Sequence, residues 1–124
     1  MILGIGTDIV AIGRFESLIQ KDSFLKKIYT SHELSHCEAK HKGKLASLAV
    51  RYAAKEAVMK ALGTGYAKGV AFTDINIIND PTGKPQVALT GVTKTYAENM
   101  GVQRIHLSLS HETEYAIAYV IMED

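Results

Sequence analysis

Glu56 is an acidic residue inside an otherwise apolar stretch, residues 45–62, whose composition predicts a long buried helix. A helical wheel places Glu56 in an apolar stripe with Tyr52 and Met59, one turn before Lys60. A lone ionised carboxylate in such a setting is costly unless a cation or hydrogen bonds compensate it. The sequence leaves two explanations open. Glu56 forms an i,i+4 ion pair with Lys60, worth about 0.2–0.5 kcal/mol, or it is a metal ligand or catalytic base.

Asp8 occupies a second position that calls for an explanation. Residues 2–10 are predicted to form a strand in which Gly4, Gly6 and Asp8 line one face. Glycines inside a strand often mark the close approach of another backbone or of a ligand. Asp8 therefore lies at the end of a face that is cleared of other side chains. The alternative, an Asp that caps the following helix, stays open.

A glycine-rich turn follows the long helix. Gly63 stands where a helix stop is expected, and Gly63, Thr64 and Gly65 could wrap a phosphate with their backbone N–H groups beside Lys60 and Lys68. The turn is not a Walker loop, because that motif requires GxxxxGKS or GxxxxGKT ahead of a helix. Helix termination alone explains the first glycine, so both interpretations stay open.

The segment 40–68 is basic: it contains seven Lys and Arg residues and one acid, Glu56. Such a cluster is either a solvated face or a site for a phosphorylated ligand. His32, His36 and His41 lie in or just before this segment, but their spacing matches no known metal-binding set. We expect them to be exposed histidines.

The remaining patterns predict an α+β fold. Residues 115–122 are apolar on both faces, which is typical of a central strand, and residues 79–83 carry dense turn chemistry between two short strands. We expect one antiparallel sheet, built from the first strand, this middle hairpin and a C-terminal hairpin, packed around the long buried helix. The other predicted elements are helices over 12–20 and 90–100, a short turn over 24–29, a helix that begins near Ser31, and strands over 72–78, 84–89 and 104–111.

Composition limits the class of protein. The 124 residues fit a single domain, 1–124, and the net charge of +1 gives no sign of nucleic-acid binding. Cys37 is the only cysteine, which excludes an internal disulfide and favours a reducing cytosol. The N-terminus lacks the features of a signal peptide, and no apolar run approaches the ~20 residues of a membrane span. We therefore expect a soluble cytoplasmic protein that acts away from membranes.

Three motifs together have a known counterpart. GIGTD on the first strand, RYAAKEAVMKALGTG on the long helix and SLSH near the last hairpin, with GKP at residues 83–85, closely resemble the holo-[acyl-carrier-protein] synthase family, the small trimeric class of 4′-phosphopantetheinyl transferases. The resemblance covers essentially the whole chain. It implies transfer of the 4′-phosphopantetheine arm of coenzyme A to a serine of apo acyl carrier protein, with release of adenosine 3′,5′-bisphosphate, in support of fatty acid biosynthesis.

The resemblance also implies a set of site residues. Asp8 and Glu56 would be the carboxylate ligands of Mg²⁺, an ion that prefers oxygen ligands and often bridges to substrate phosphate. Glu56 and Lys60 would be the catalytic residues; which of them, or a metal-bound water, takes the serine proton stays open. His111 could instead be a turn histidine bonded to a backbone carbonyl. The implied coenzyme A-binding residues are Lys42, Lys44, Arg51, Lys60, Gly63, Thr64, Gly65, Lys84, Pro85 and His111.

The family's partners follow from the same resemblance. Acyl carrier protein presents acidic helices, and Arg14 and Leu18 resemble the family's docking element, with Lys21, Lys26 and Lys27 continuing a basic edge. The family forms homotrimers whose sites lie between neighbouring subunits. Two other functions use the same residues: a phosphohydrolase acting on a nucleotide, and a catalytically silent coenzyme A or carrier-protein module. We disfavour the first because nothing evidently places a water nucleophile, and the second because Asp8, Glu56 and Lys60 are intact.

Overall fold

The computed structural model describes residues 1–40 and 42–124, so the prediction for His41 lies outside the described residues. The fold is α+β, with helices and antiparallel strands, as predicted. The strands are β1 (Ile2–Ala11), β2 (Ile75–Asn79), β3 (Pro85–Leu89), β4 (Arg104–His111) and β5 (Tyr115–Glu123). The helices are α1 (Phe15–Leu18), α2 (Asp22–Ile28), α3 (Ser31–Glu38), α4 (Lys44–Leu62) and α5 (Gly91–Met100), and 3₁₀ turns span Ile12–Arg14 and Phe72–Asp74.

Helix α4 is the core of the molecule. Thirteen of its nineteen residues are buried, and it ends where Gly63 adopts a left-handed conformation with φ = 77°, as the sequence predicted. One face of β5 packs on it with the fully buried side chains of Ala116, Ala118, Val120 and Met122. The predicted long buried helix is therefore confirmed.

The strands form two sheets, where we predicted one. β5 lies between β1 and β4 in a three-stranded antiparallel sheet, which confirms the predicted central strand, but the hairpin β2–β3 forms a separate sheet. β3 runs beside β4 without a hydrogen-bonded ladder. A cleft of about 440 Å³ lies at this junction, lined by residues of β3, α5 and β4, among them Val87, Ala97 and Ile105.

Three local predictions differ from the structure. The predicted helix over 12–20 is broken into the 3₁₀ turn Ile12–Arg14 and the single-turn α1. The predicted turn over 24–29 is the helix α2, whose Asp22 and Lys26 form an exposed i,i+4 ion pair at 2.9 Å. Helix α3 begins as expected, but its N-cap is Thr30, which forms a capping box with Glu33.

A fully buried ion pair joins the hairpin to the core. Lys55 Nζ of α4 lies 2.8 Å from Glu33 Oε1 of α3, and both side chains are fully buried. The ammonium also donates to the carbonyl oxygens of Phe72, at 2.9 Å, and Ile75, at 2.6 Å, while Glu33 Oε2 accepts from the backbone N–H of Ile77 at 2.8 Å. The pair thus connects α3, α4 and β2. Each N–H donor of the Lys55 ammonium has an acceptor.

Gly4 and Gly6 let β1 lie directly on α4. A Cβ atom at Gly4 would stand 2.1 Å from the carbonyl oxygen of Ala61, and one at Gly6 would stand 2.0 Å from that of Ala57. Of the two alternatives that the sequence left open, another backbone fills this face. The close contact also carries Asp8, two residues on, to the side of α4.

A Gly6→Ala variant is expected to be less stable by about 1–3 kcal/mol, because the added methyl group must push the strand away from the helix. Urea unfolding followed by circular dichroism measures the change. Gly13→Ala is the matched control, since a Cβ at Gly13 meets no atom within 4 Å. Equal stability of the two variants would contradict the account of the close strand–helix contact.

The outer face of the three-stranded sheet exposes large apolar side chains. Ile5, Ile9, Tyr115, Ile117 and Tyr119 are between 41% and 61% exposed, and Ile9 lies directly opposite Ile117 in the β1–β5 ladder. Exposed apolar patches of this kind usually mark an interaction surface. None of the helices in residues 1–40 and 42–124 combines the length and apolar character that a membrane span needs.

Candidate functional site

Asp8 faces α4 and is held there by Lys60. Lys60 Nζ lies 3.0 Å from Asp8 Oδ1 and donates to the carbonyl oxygen of Thr7 at 2.9 Å. Lys60 is half-exposed, whereas the Asp8 side chain is only 14% exposed. Glu56, one turn before Lys60, forms no salt bridge within the described part of the chain. The alternative of a Glu56–Lys60 ion pair is therefore wrong.

The second carboxylate oxygen of Asp8 is the unusual atom of this site. Asp8 Oδ2 is buried and accepts no hydrogen bond from any described residue. Asp8 is also not a helix cap, because β1 continues to Ala11, which precedes the 3₁₀ turn without a capping side-chain hydrogen bond. Since a buried oxygen without a partner is costly, this atom indicates a ligand that the protein chain does not supply.

Tyr52 adds a phenol to the same region. It precedes Glu56 by four residues on α4, so the two side chains share one face of the helix. Burial raises the pKa of the Tyr52 phenol above its ordinary value, and the negative charges of Glu56 and Asp8 raise it further, whereas the positive charge of Arg14 lowers it. The charges of both carboxylates therefore act on this phenol, although their residues are 48 positions apart in the sequence.

The two carboxylates suit a hard divalent cation. Mg²⁺ usually takes one or two protein carboxylates and completes its coordination with waters and substrate phosphate. The described residues contain no group of three or more His, Cys, Asp or Glu side chains placed to hold a metal, so a site made wholly of protein ligands is not present among them. Asp8 and Glu56, with the unpaired Asp8 Oδ2, fit the sparser kind of site.

A basic cleft lies apart from these two carboxylates, nearer the start of α4. Its volume is about 430 Å³, and none of the described residues that line it is acidic. The polar and charged residues of its lining include Lys40, Lys42, Ser47, Arg51, Asn79 and His111, and Pro85 forms part of its wall. Four of the predicted coenzyme A-binding residues, Lys42, Arg51, Pro85 and His111, are therefore together.

Arg51 is the most informative residue of this basic cleft. The residue is only 4% exposed. Its guanidinium donates to Ser47 Oγ at 2.6 Å and to Asn79 Oδ1 at 3.1 Å, but no carboxylate pairs with it and its Nε has no hydrogen-bond partner among the described residues. A buried cation without a counter-ion favours an anionic ligand. His111 lines the same cleft, and its imidazole makes no hydrogen bond within the described residues, which argues against the turn-histidine alternative.

Other predicted binding residues lie around these two regions. Lys44 forms an ion pair with Glu38 and is not among the residues that line the basic cleft. Lys84 is exposed in the hairpin turn, where its backbone N–H donates to Asp80 Oδ1 at 3.0 Å. Gly63 and Gly65 both adopt positive φ, and the Thr64 hydroxyl donates to the Gly65 carbonyl oxygen at 2.8 Å.

Sequence reasoning missed Lys40 and His36 as neighbours of the basic cleft. Lys40 lines it directly. His36 is half-buried, and burial lowers the pKa of its imidazole, as do the positive charges of Arg51 and Lys40. The basic run that begins at Lys40 was the available signal, but the sequence could not show which of its side chains share the cleft.

The predicted docking residues lie next to Tyr52. Arg14 is exposed at the end of the 3₁₀ turn, with its guanidinium carbon 5.9 Å from the centre of the Phe15 ring, and Leu18 is half-buried at the end of α1. The Phe15 ring in turn lies 5.4 Å from that of Tyr52. A partner bound at α1 would therefore sit one aromatic ring away from the carboxylate region.

Comparison with known proteins places this geometry in a family. Residues 4–120 match the model of the 4′-phosphopantetheinyl transferase superfamily. A holo-[acyl-carrier-protein] synthase of Vibrio campbellii is 50% identical over 125 aligned positions, covering 98% of each chain.

Solved structures agree. The crystal structure of holo-[acyl-carrier-protein] synthase from Neisseria meningitidis is 38% identical and covers 100% of both chains, with a TM-score of 0.91. That of the Helicobacter pylori enzyme in complex with coenzyme A is 34% identical, covers 96% of this chain and 99% of that chain, and has a TM-score of 0.84. The prediction of a phosphopantetheinyl transferase is thereby confirmed, and the chain belongs to the 4′-phosphopantetheinyl transferase superfamily.

Proposed function

We propose that this protein transfers the 4′-phosphopantetheine arm of coenzyme A to a serine of apo acyl carrier protein, in the cytoplasm and in support of fatty acid biosynthesis. The observation that carries the proposal is the buried, unpaired Asp8 Oδ2 beside Lys60, with Glu56 one helical turn before Lys60 on α4. The names of the relatives, which are synthases of holo acyl carrier protein, support the same substrate pair.

Asp8 and Glu56 would hold the Mg²⁺ ion. When bound, Mg²⁺ supplies positive charge against the diphosphate of coenzyme A. In the reaction, the serine Oγ forms a bond to the β-phosphorus while the bond from that phosphorus to the bridging oxygen breaks. Adenosine 3′,5′-bisphosphate leaves with the bridging oxygen and its negative charge.

Lys60 and Glu56 divide the remaining chemistry. The Lys60 ammonium is half-exposed while it contacts Asp8, so it can reach a phosphoryl oxygen and stabilise the charge that develops there. The serine proton would pass to the Glu56 carboxylate or to a water, or to Lys60 where that residue is in its neutral amine form, because an ammonium cannot accept a proton. Thr64 and the flanking glycines would contact the diphosphate from the end of α4.

The basic cleft suits the nucleotide end of coenzyme A. Arg51, Lys42 and His111 supply cationic or hydrogen-bonding groups without an acidic neighbour in the lining, which favours the 3′-phosphate. Arg51 and Lys60 are nine residues apart on α4, about 13 Å along its axis at 1.5 Å per residue. One chain thus presents two separated halves of a binding site.

We propose that a homotrimer joins such halves from neighbouring chains. The exposed apolar face of the sheet is bordered at one end by a cleft lined by Ile5, Tyr119 and Lys60. At the other end it is bordered by a cleft lined by Ile9, Ile117 and His111. A neighbouring chain seated on this face would therefore cover Lys60 and His111 together. Sedimentation equilibrium is expected to give three times the mass of one chain.

Mass spectrometry tests the proposed reaction. Apo acyl carrier protein is incubated with this protein, coenzyme A and Mg²⁺, and a mass gain of one phosphopantetheine supports transfer. Release of phosphate or nucleotide without that gain supports the phosphohydrolase. No turnover with retained coenzyme A binding supports the silent module.

An Arg14→Glu variant is expected to raise the KM for acyl carrier protein by about tenfold or more, because a like charge then faces the acidic partner. Coenzyme A binding should be unchanged, since Arg14 lies in the 3₁₀ turn before α1 and is not among the residues that line the basic cleft. Isothermal titration with each substrate separates the two effects. Lys94→Glu on the exposed side of α5 is the control for charge reversal alone, and equal loss of both affinities in Arg14→Glu would contradict a docking role.

A further inference from the structure

We propose that Asn79 is a positioning residue that holds the Arg51 guanidinium for the 3′-phosphate of coenzyme A. The inference rests on the proposed function, in which Arg51 binds that phosphate. Sequence patterns assign Asn79 only to the turn between two short strands. The structure gives its side-chain amide two hydrogen-bond partners, one on α4 and one in that turn.

The Asn79 amide connects Arg51 to the hairpin. Its Oδ1 accepts from Arg51 Nη2 at 3.1 Å, and its Nδ2 donates to the carbonyl oxygen of Gly83 at 2.9 Å. A guanidinium carries only donors, so the amide oxygen must face Arg51 and the amide nitrogen must face the turn. Asn79 also lies opposite Pro85 in the β2–β3 ladder, and both residues line the basic cleft. Arg51 is therefore fixed relative to the strand ends that form one wall of this cleft.

The side chains that hold Arg51 are uncharged. Ser47 Oγ accepts from Nη1 at 2.6 Å, and the Asn79 amide accepts from Nη2. Asp80, the next residue along the chain, forms no ion pair with Arg51 among the described residues, and its Oδ1 accepts from the backbone N–H of Thr82 at 2.8 Å. The guanidinium is thus held in place while its positive charge stays available to an anion.

A guanidinium that is already held binds a phosphate more tightly than a free one. An arginine side chain has many rotamers, and ordering it only when the ligand arrives would reduce the binding free energy. Asn79 and Ser47 order the group beforehand. Because Asn79 acts through Arg51, its contribution should be confined to ligands that carry the 3′-phosphate.

Asn79→Ala tests the inference by removing the amide from an exposed position. Isothermal titration in Mg²⁺ compares coenzyme A with dephospho-coenzyme A, which lacks the 3′-phosphate. We expect the Kd for coenzyme A to rise by about tenfold or more, because a hydrogen bond to a charged group is lost. The Kd for dephospho-coenzyme A should be unchanged, so the preference for coenzyme A falls. Partial unfolding would weaken both ligands equally and would leave this preference as it was.

Asn76→Ala is the matched control. Asn76 lies on the same strand, but its Oδ1 accepts from the Thr30 hydroxyl at 2.7 Å, and it is not among the residues that line the basic cleft. It should keep the wild-type preference for coenzyme A. The double variant Arg51→Met/Asn79→Ala should lose no more of the preference than Arg51→Met alone, because a positioning residue has no effect once its target is gone.

A wild-type preference in Asn79→Ala would overturn the inference, and so would an equal loss in Asn76→Ala or a further loss in the double variant. If the wild-type protein binds the two ligands equally, or if Arg51→Met keeps the full preference, Arg51 does not bind the 3′-phosphate and the inference fails with that assignment. If Asn79→Ala loses the preference but the wild-type protein transfers no phosphopantetheine, the role of Asn79 stands and the proposed reaction is overturned.

Discussion

A Glu56→Gln variant is expected to lose magnesium-dependent transfer by at least about a hundredfold. The amide keeps the size and one hydrogen-bond acceptor of the side chain but removes the negative charge that a divalent cation requires. Glu56 is partly exposed and forms no salt bridge in the described residues, so its neutralisation should leave the folded state intact. Transfer to apo acyl carrier protein over a range of Mg²⁺ concentrations measures the effect.

Glu98→Gln provides the control for this variant. It removes the same charge from an exposed position on α5, far along the chain from the carboxylate region, and should turn over at the wild-type rate. Melting temperatures of both variants show that the fold is retained. Normal turnover of Glu56→Gln in magnesium would remove Glu56 from the metal site and leave the unpaired oxygen of Asp8 without an explanation.

The helices and strands whose structure is determined by their own residues could be predicted from the sequence. Helix α4 has local signals along its whole length, since it is rich in helix formers and ends at Gly63. β5 was identified as central because it is apolar on both faces. Its outer face is nevertheless exposed in the single chain, and the proposed trimer would cover it.

Features that depend on distant contacts could not be predicted. Whether the hairpin β2–β3 joins the main sheet depends on how the hairpin, α5 and β4 pack together, and residues of β3, α5 and β4 line a cleft there. The pairing of Lys55 with Glu33 joins residues 22 positions apart, and Lys55 was indistinguishable in the sequence from the other lysines of the basic segment. In both cases tertiary packing decides the outcome.

The candidate site lies between these extremes. Local reasoning left Asp8 as a cap or a ligand and Glu56 as an ion-pair partner or a ligand, and only the family resemblance brought the two together. The structure excludes the cap and the Glu56–Lys60 pair. It also shows that the Tyr52 ring packs against aromatic rings from α1, α2 and the turn Phe72–Asp74, contacts that no pattern within α4 can reveal.

Lys55→Met is expected to destabilise the protein by about 3–5 kcal/mol, the largest effect on stability that we predict. Methionine fills much the same volume, but it leaves the fully buried Glu33 carboxylate without its cation and the carbonyl oxygens of Phe72 and Ile75 without a donor. Burial already lowers the pKa of the Lys55 ammonium, while Glu33 opposes that shift. The Lys55 ammonium therefore stays charged in the core because the Glu33 carboxylate is beside it. Removing either residue leaves the other as an unpaired buried charge, which destabilises the folded state.

The double variant Glu33→Leu/Lys55→Met separates two effects on stability: that of leaving a buried charge unpaired and that of losing the hydrogen bonds which the pair forms. If the cost of Lys55→Met comes from the unpaired carboxylate, the double variant should be more stable than Lys55→Met, because no buried charge remains. Lys26→Met, which removes the exposed pair with Asp22, should change stability by less than about 0.5 kcal/mol. Urea unfolding of all three variants measures these differences. A double variant as unstable as Lys55→Met would show that the lost hydrogen bonds to Phe72, Ile75 and Ile77, and not the charge, determine the stability of this junction.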